Sequence, residues 1–222
     1  MFGGMFQTSE GFAWYTPQSV PLRLTQKLRV RSSIVNSVAQ VNGSLVINKN
    51  YPFMIFFSGQ SDSNYQVVPT LNQTNSGVDY RAVSYSGVNT ANFYLDVYVF
   101  SSQPKSSPSV DYGAAFYDGN GNLILDSSDR VLTDLTSIGQ GPTTLEGKYA
   151  ITPSLAGGRQ YQVSGGGPGG NIFPIPTAFS CNYANGSTIV ASDVTLAPPS
   201  QGIVGGFVLN NTISIINTSR YD

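Results

Sequence analysis

The sequence predicts an all-β protein built as two tandem, similar antiparallel β-sandwich domains. Three observations predict it. Aromatic residues make up 12% of the chain and charged residues only 10%, with 24 Gly and 13 Pro among 222 residues. That balance suits pleated, half-buried surfaces punctuated by turns, and its apolar content is enough to offset chain entropy where a Ser/Asn/Gly-rich chain would otherwise stay disordered. Short apolar runs recur between Gly, Pro and Asn clusters, and no apolar stripe of period 3.6 exceeds two turns. Finally, the chain resembles itself at an offset of about half its length.

The repeat is clearest at its start. Phe2, Gly3 and Phe6 align with Tyr112, Gly113 and Phe116; Gly11 aligns with Gly121; Ala13, Trp14 and Tyr15 align with Leu123, Ile124 and Leu125; Leu22 aligns with Leu132. Further on, FMIFFSG at 53–59 aligns with RQYQVSG at 159–165, VPT at 68–70 with IPT at 175–177, and YVFS at 98–101 with FVLN at 207–210. Small changes of offset between blocks are what loops of unequal length produce.

Each half then reads as a run of strands. Residues 3–6 and 12–15 flank a turn, and 22–30 alternates, with Leu22, Leu24, Leu28 and Val30 on one side. Apolar or alternating runs follow at 44–48, 52–57, 65–68, 80–84 and 93–100. In the second half, 113–117 and 122–126 flank the turn DGNG, and runs follow at 147–151, 160–164, 188–191, 206–209 and 212–216. Between the halves SSQPKSSPS carries two prolines and no apolar residue, the composition of a semi-rigid linker. The expected division is therefore a first domain at 1–101, a linker at 102–110 and a second domain at 111–222.

Charge and special residues narrow the function. Net charge is −1, but residues 1–110 carry seven cations against four acids, and residues 111–222 four cations against eight acids. A near-neutral chain without recurring aromatic-basic interleaving does not suit nucleic acid. Histidine is absent and Cys181 is the single cysteine, so no disulfide within the chain and no Cys/His metal set can form. No hydroxyl or thiol nucleophile has a histidine base, and Cys181 reads as buried, so catalysis and cofactors are not expected. No apolar run approaches the ~18 residues of a membrane span, and no basic segment leads an apolar core at the N-terminus. Membrane partners are not expected, the Asn-x-Ser/Thr triplets read as polar loops, and folding is expected in a cytoplasm.

Four stretches could carry chemistry. Asp118, Asn120, Asn122, Asp126 and Asp129 occupy positions 1, 3, 5, 9 and 12 of a twelve-residue window, a spacing that can wrap oxygens around calcium. Position 6 is Leu123 where such a loop has glycine, and an Asx-rich hairpin turn accounts for the same residues. SGGGPGG at 164–170 lacks the Gly-Lys-Ser/Thr of a phosphate cradle and reads as a flexible or contact-making loop. In LRLTQKLRVR, strand alternation puts Arg23, Lys27, Arg29 and Arg31 on one face, either as a solvated edge or as an assembly surface for an acidic partner such as the second half of a neighbouring copy. Trp14 and the tyrosines could act as stacking platforms for a glycan, or Trp14 could be core.

Residues 112–132 carry a resemblance. Tyr112, Gly113, Phe116, Asn120, Gly121, Leu123, Ile124, Asp126, Ser127, Ser128 and Arg130 are similar to the opening hairpin of a family of small minor tail or tail-tip proteins of tailed bacteriophages. The first half departs from the pattern, with Thr16, Pro17, Gln18 and Ser19 at the Asp-Ser-Ser-Asp positions. The resemblance implies a virion component made in the host cytoplasm, with other virion proteins and copies of itself as partners, and no catalytic residues. A Tyr-, Asn- and Ser-rich surface suits such assembly. The alternatives are a glycan- or receptor-binding module of the virion and a capsid decoration protein.

Overall fold

The computed structural model describes residues 4–8, 11–15, 20–61, 65–85, 91–109, 113–163, 171–195 and 203–222. They are all-β, as the composition predicts; the one helical element among them is a 3-10 turn at Thr218–Arg220, capped by Asn217 Oδ1 accepting from the Ser219 N–H.

The first half contains a separate hairpin, β1 (Gly4–Thr8) with β2 (Gly11–Tyr15), and a two-layered unit. In one layer β3 (Arg23–Arg31), β9 (Phe93–Ser101) and β6 (Phe53–Ser61) lie side by side in that order. In the other, β4 (Ser33–Val35), β5 (Val38–Val46), β8 (Gly77–Tyr85) and β7 (Gln66–Gln73) do the same. Ser32 is the corner between layers: its N–H donates to Phe93 O and its hydroxyl accepts from the Phe93 N–H. Every second residue points between the layers, and Val41, Leu45, Phe57, Val67, Tyr80, Leu95 and Val97 fill the space.

The second half repeats this order. It has its own hairpin, β10 (Ala115–Tyr117) with β11 (Leu123–Asp126). One layer is β12 (Thr136–Gly139), β19 (Thr212–Asn217) and β14 (Tyr149–Ile151); the other contains β13 (Thr143–Glu146), β17 (Ser187–Thr195) and β16 (Asn171–Ala184). Thus β12, β19 and β14 stand as β3, β9 and β6 do, and β13, β17 and β16 as β5, β8 and β7. Among the described residues β4 has no counterpart in the second half, and two strands of the second half have none in the first: β15 (Leu155–Val163) and β18 (Ile203–Val208), which extend the layer beyond β16. Of the aligned sequence blocks, VPT and IPT fall on equivalent strands, β7 and β16. RQYQVSG begins within β15, and FVLN spans the end of β18, so those two blocks mark the unmatched pair.

The halves meet through equivalent strands. Phe57 of β6 is registered with Ile151 of β14, and Val67 of β7 with Cys181 of β16, both antiparallel. Strand β16 also lies parallel to the end of β6, with Tyr183 beside Gln60. It therefore fills the seam that the first half leaves between β6 and β7. The Gly59 N–H donates to Cys181 Sγ (3.3 Å), the Cys181 thiol donates to Phe57 O (3.3 Å), and Asn182 Oδ1 accepts from the Ser61 N–H (2.9 Å). Gly59 permits this approach, because a Cβ there would stand 2.5 Å from Val67 Cβ and 2.8 Å from Cys181 O.

Strands β6 and β9 are consequently covered on both faces, which is why FMIFF and FYLDVYVF are apolar runs and not alternating ones. Phe57, Val97 and Val99 face the first half's interior; Phe56, Tyr98 and Phe100 face the second half, packed with Ala150, Ile216 and Tyr221. Phe100 meets Phe56 and Tyr221 edge to face, with ring centroids 5.8 and 4.9 Å away. The expected linker runs tied down at several points. Ser102 N–H donates to Pro52 O, Lys105 N–H to Leu123 O and Ser109 N–H to Asp126 Oδ2.

Candidate assembly interface

The four cations of β3 do not share a face. The ladder between β3 and β9 shifts by one residue between Leu24 and Gln26, and a one-residue shift turns the strand over. Before the shift Leu24 is registered with Phe100 and packs toward the second half; after it Lys27, Arg29 and Arg31 take that side, opposite Tyr98, Asp96 and Tyr94. Arg23 is left on the other side, where its guanidinium donates to Gln103 O. The expected four-cation stripe is corrected to three residues by this bulge.

Two of those three are paired within the chain. Arg29 contacts Asp96 Oδ2 (3.2 Å), donates to Gln60 Oε1 and lies 4.6 Å from the Tyr94 ring centroid. Lys27 pairs with Asp222 (3.0 Å), so the acidic partner the stripe meets is the chain's own second half. Lys148 sits behind them, bridging Asp96 Oδ2 (2.8 Å) and Asp222 Oδ2 (2.9 Å), while the Tyr98 hydroxyl donates to Asp222 Oδ1 (2.5 Å). Arg31 is exposed.

These contacts set the ionisation of the junction. Burial works against the Asp222 carboxylate, but hydrogen bonds from Tyr98, Lys148 and Lys27 outweigh it and lower its pKa to about 2. Burial likewise opposes the Lys148 ammonium, yet its bonds to Asp96 and Asp222 hold its pKa above the ordinary range. Burial and the bond to Asp222 push the Tyr98 phenol up.

The Asx-rich turn separates into two parts. Asp118 closes the turn on itself: Oδ1 accepts from the Asn120 and Asn122 N–H groups, and Oδ2 from the Asn122 amide. Asp126 and Asp129 instead hold Lys105, at 2.6 and 2.9 Å, with Lys105 and both carboxylates at most 10% exposed. Asp126 also accepts from the Ser109 and Ser128 N–H groups and the Ser128 hydroxyl. Against its burial, these bonds, led by Lys105, drive the Asp126 carboxyl well below the usual range. The five residues proposed as a calcium set are thus divided between a self-capped turn and an ion-paired clamp on the segment joining the halves. Sequence reading found the acids but not Lys105, because the ion pair joins positions 21 and 24 residues apart in a segment read as a linker.

Stability should therefore be limited at both ends of the pH scale. Asp126 and Asp222 have depressed folded pKa values, so their contribution is present above the unfolded value of about 3.9 and is lost as pH falls toward 2. Tyr98 and Lys148 have raised folded values, so theirs is present below about 10 and is lost as pH climbs past it. Thermal unfolding should give a Tm level between about pH 5 and 9 that falls by several degrees on either side. A Tm unchanged down to pH 2 would contradict the acid pairing.

Cys181 is fully buried, and burial pushes its thiol up to about 12, so it is unreactive. The loop SGGGPGG at 164–170 lies outside the described residues, and Trp14 sits on β2 opposite Met5 with its side chain outside them. A groove of about 550 Å³ crosses the outer face of β5, β8 and β7, lined by Asn42, Ser44, Thr70, Asn72, Asp79 and Arg81. The unmatched pair β15–β18 offers a different surface: Leu155, Phe207, Val208 and Leu209 are 42–58% exposed at a sheet edge. A strand there is legible in the sequence, but not that its outer edge lacks a neighbouring strand among the described residues.

Compared with known proteins, the chain matches no family model, no curated protein and no solved structure.

Proposed function

We propose that this chain is a structural component of a bacteriophage virion, a tail or tail-tip protein acting through protein–protein contacts. The observation that carries the reading is the placement of polar and apolar groups. Cations that could steer a charged partner are largely paired inside the molecule, whereas the exposed apolar side chains of Leu155, Phe207, Val208 and Leu209 lie at the unmatched β15–β18 pair. The likeness of residues 112–132 to the opening hairpin of phage tail proteins supplies the setting. The common strand order of the two halves supports reading them as copies of one duplicated unit.

The test is to purify particles of the phage that encodes the chain, identify their proteins by mass spectrometry and locate the chain with an antibody by electron microscopy. Label at the tail or its tip is the expected result. Absence from particles would overturn the reading, and label over the head would favour a decoration protein. A surface-glycan module is the second reading, favoured by the Asn/Asp/Arg-lined groove, which offers a carboxylate, amides and a guanidinium to sugar hydroxyls. A glycan array with wild type and Asp79→Asn decides it: bound signal lost in the variant is required.

A further inference from the structure

We infer that β18 is the contact through which two copies of this chain join, edge to edge and antiparallel about a two-fold axis. The inference rests on the assembly reading above and names the partner: a second copy.

Among the described residues β18 pairs only with β15, so its outer row of backbone N–H and C=O groups faces no strand. Exposed edges of this kind are normally blunted by a charge or a proline. Here there is neither: Gly202 to Leu209 contains no proline, and no Asp, Glu, Lys or Arg occurs between Asp193 and Arg220. Two copies can therefore bring these edges together without opposing like charges. A bulge at Val204, where Gln160 is registered with Gly205 and Tyr161 with Ile203, leaves the regular edge at 205–208, with Leu209 just past the strand's end.

That edge together with the following Leu209, Gly-Gly-Phe-Val-Leu, complements itself. An antiparallel pairing centred on Phe207 sets Phe207 against its own counterpart, Val208 against Gly206, and Leu209 against Gly205. On one face the two Phe207 rings meet between Leu209 side chains seated over glycine; on the other, each Val208 covers a Gly206. The glycines have room for this. A Cβ at Gly206 would meet only Gly158 O, at 3.2 Å, and one at Gly205 only the Gln160 side chain. Phe207, Val208 and Leu209 are 44%, 56% and 58% exposed, so all three have area to lose. Pairing of large residues with small ones about a single centre is what an isologous contact requires, and an unrelated partner would not require it.

The test is sedimentation velocity on the full chain, over about 1–100 μM. Wild type should show a monomer–dimer equilibrium, and Val208→Lys should raise the dissociation constant at least about tenfold. Val46→Lys, on β5 at the most exposed large apolar residue among the described ones, should leave it unchanged, with the Tm of both variants checked against wild type. A covalent readout is independent of the dimer's strength. Phe207→Cys should form an interchain disulfide on oxidation, since it faces itself, while Val208→Cys, facing glycine, should not. The inference is overturned by a wild type monomeric throughout, by a Val208→Lys dimer as tight as wild type, or by equal crosslinking of the two cysteine variants. A β18 dimer missing from virions would instead refute the virion reading alone, and a monomer found in virions would refute only the dimer.

Discussion

Phe56→Ala is expected to destabilise the chain as much as Phe57→Ala, about 3–5 kcal/mol each in urea denaturation. Neighbouring side chains on a strand point to opposite faces, so in a free-standing sandwich one of the two would face water and its truncation would cost under about 0.5 kcal/mol. Both rings are fully buried here, Phe57 between the layers of the first half and Phe56 against Phe100 and Ile216 at the junction. The pair of variants thus measures whether the halves are bound face to face in solution. Phe56→Ala within error of wild type would show that they come apart.

Lys105→Met should have a comparable effect, about 3 kcal/mol or more, by a different route. The substitution keeps most of the side chain's bulk and removes its charge, leaving the Asp126 and Asp129 carboxylates buried at 0% and 7% exposure without their cation. A buried charge stripped of its partner costs about 3–5 kcal/mol, whereas replacing all the members together is often nearly neutral. The N–H and hydroxyl donors that remain on Asp126 hold the expected loss near the lower limit. The combination of Lys105→Met with Asp126→Asn and Asp129→Asn should recover much of it. A single variant as stable as wild type would mean that the clamp adds nothing to the fold.

How far the sequence discloses this structure depends on which kind of signal each part leaves. Strands at β3, β6, β8 and β9 are legible because alternation or a sustained apolar run is a local pattern. Strand β16 is not, because Pro174 and Pro176 argue against a strand. Two residues apart, their nitrogens face the same side. They are accommodated because, among the described residues, only β15 borders that part of β16, with β17 joining from Thr177 onward. The strands β12 and β13, TSIG and TTLE, are only four residues long with a single large apolar residue each, so neither a sustained apolar run nor a full alternation sets them apart from loops. The apolar run in β6 signals burial on both faces, but it does not say which segment does the covering. For the candidate interface, the cations were visible and their partners were not: Lys27 and Asp222 are 195 residues apart, and a bulge that no residue type announces rotates Arg23 away.

The position of β16 between β6 and β7 also governs the order of events during synthesis. While the ribosome is still adding the second half, the strands of the first have an unfilled slot, and the residues that complete it, Cys181 to Tyr183, are made well over a hundred residues after Gly59. The amino-terminal unit must wait in an unfinished state with an uncovered apolar flank. Contacts of such long separation make folding slow, and the waiting species is the one a holdase should capture.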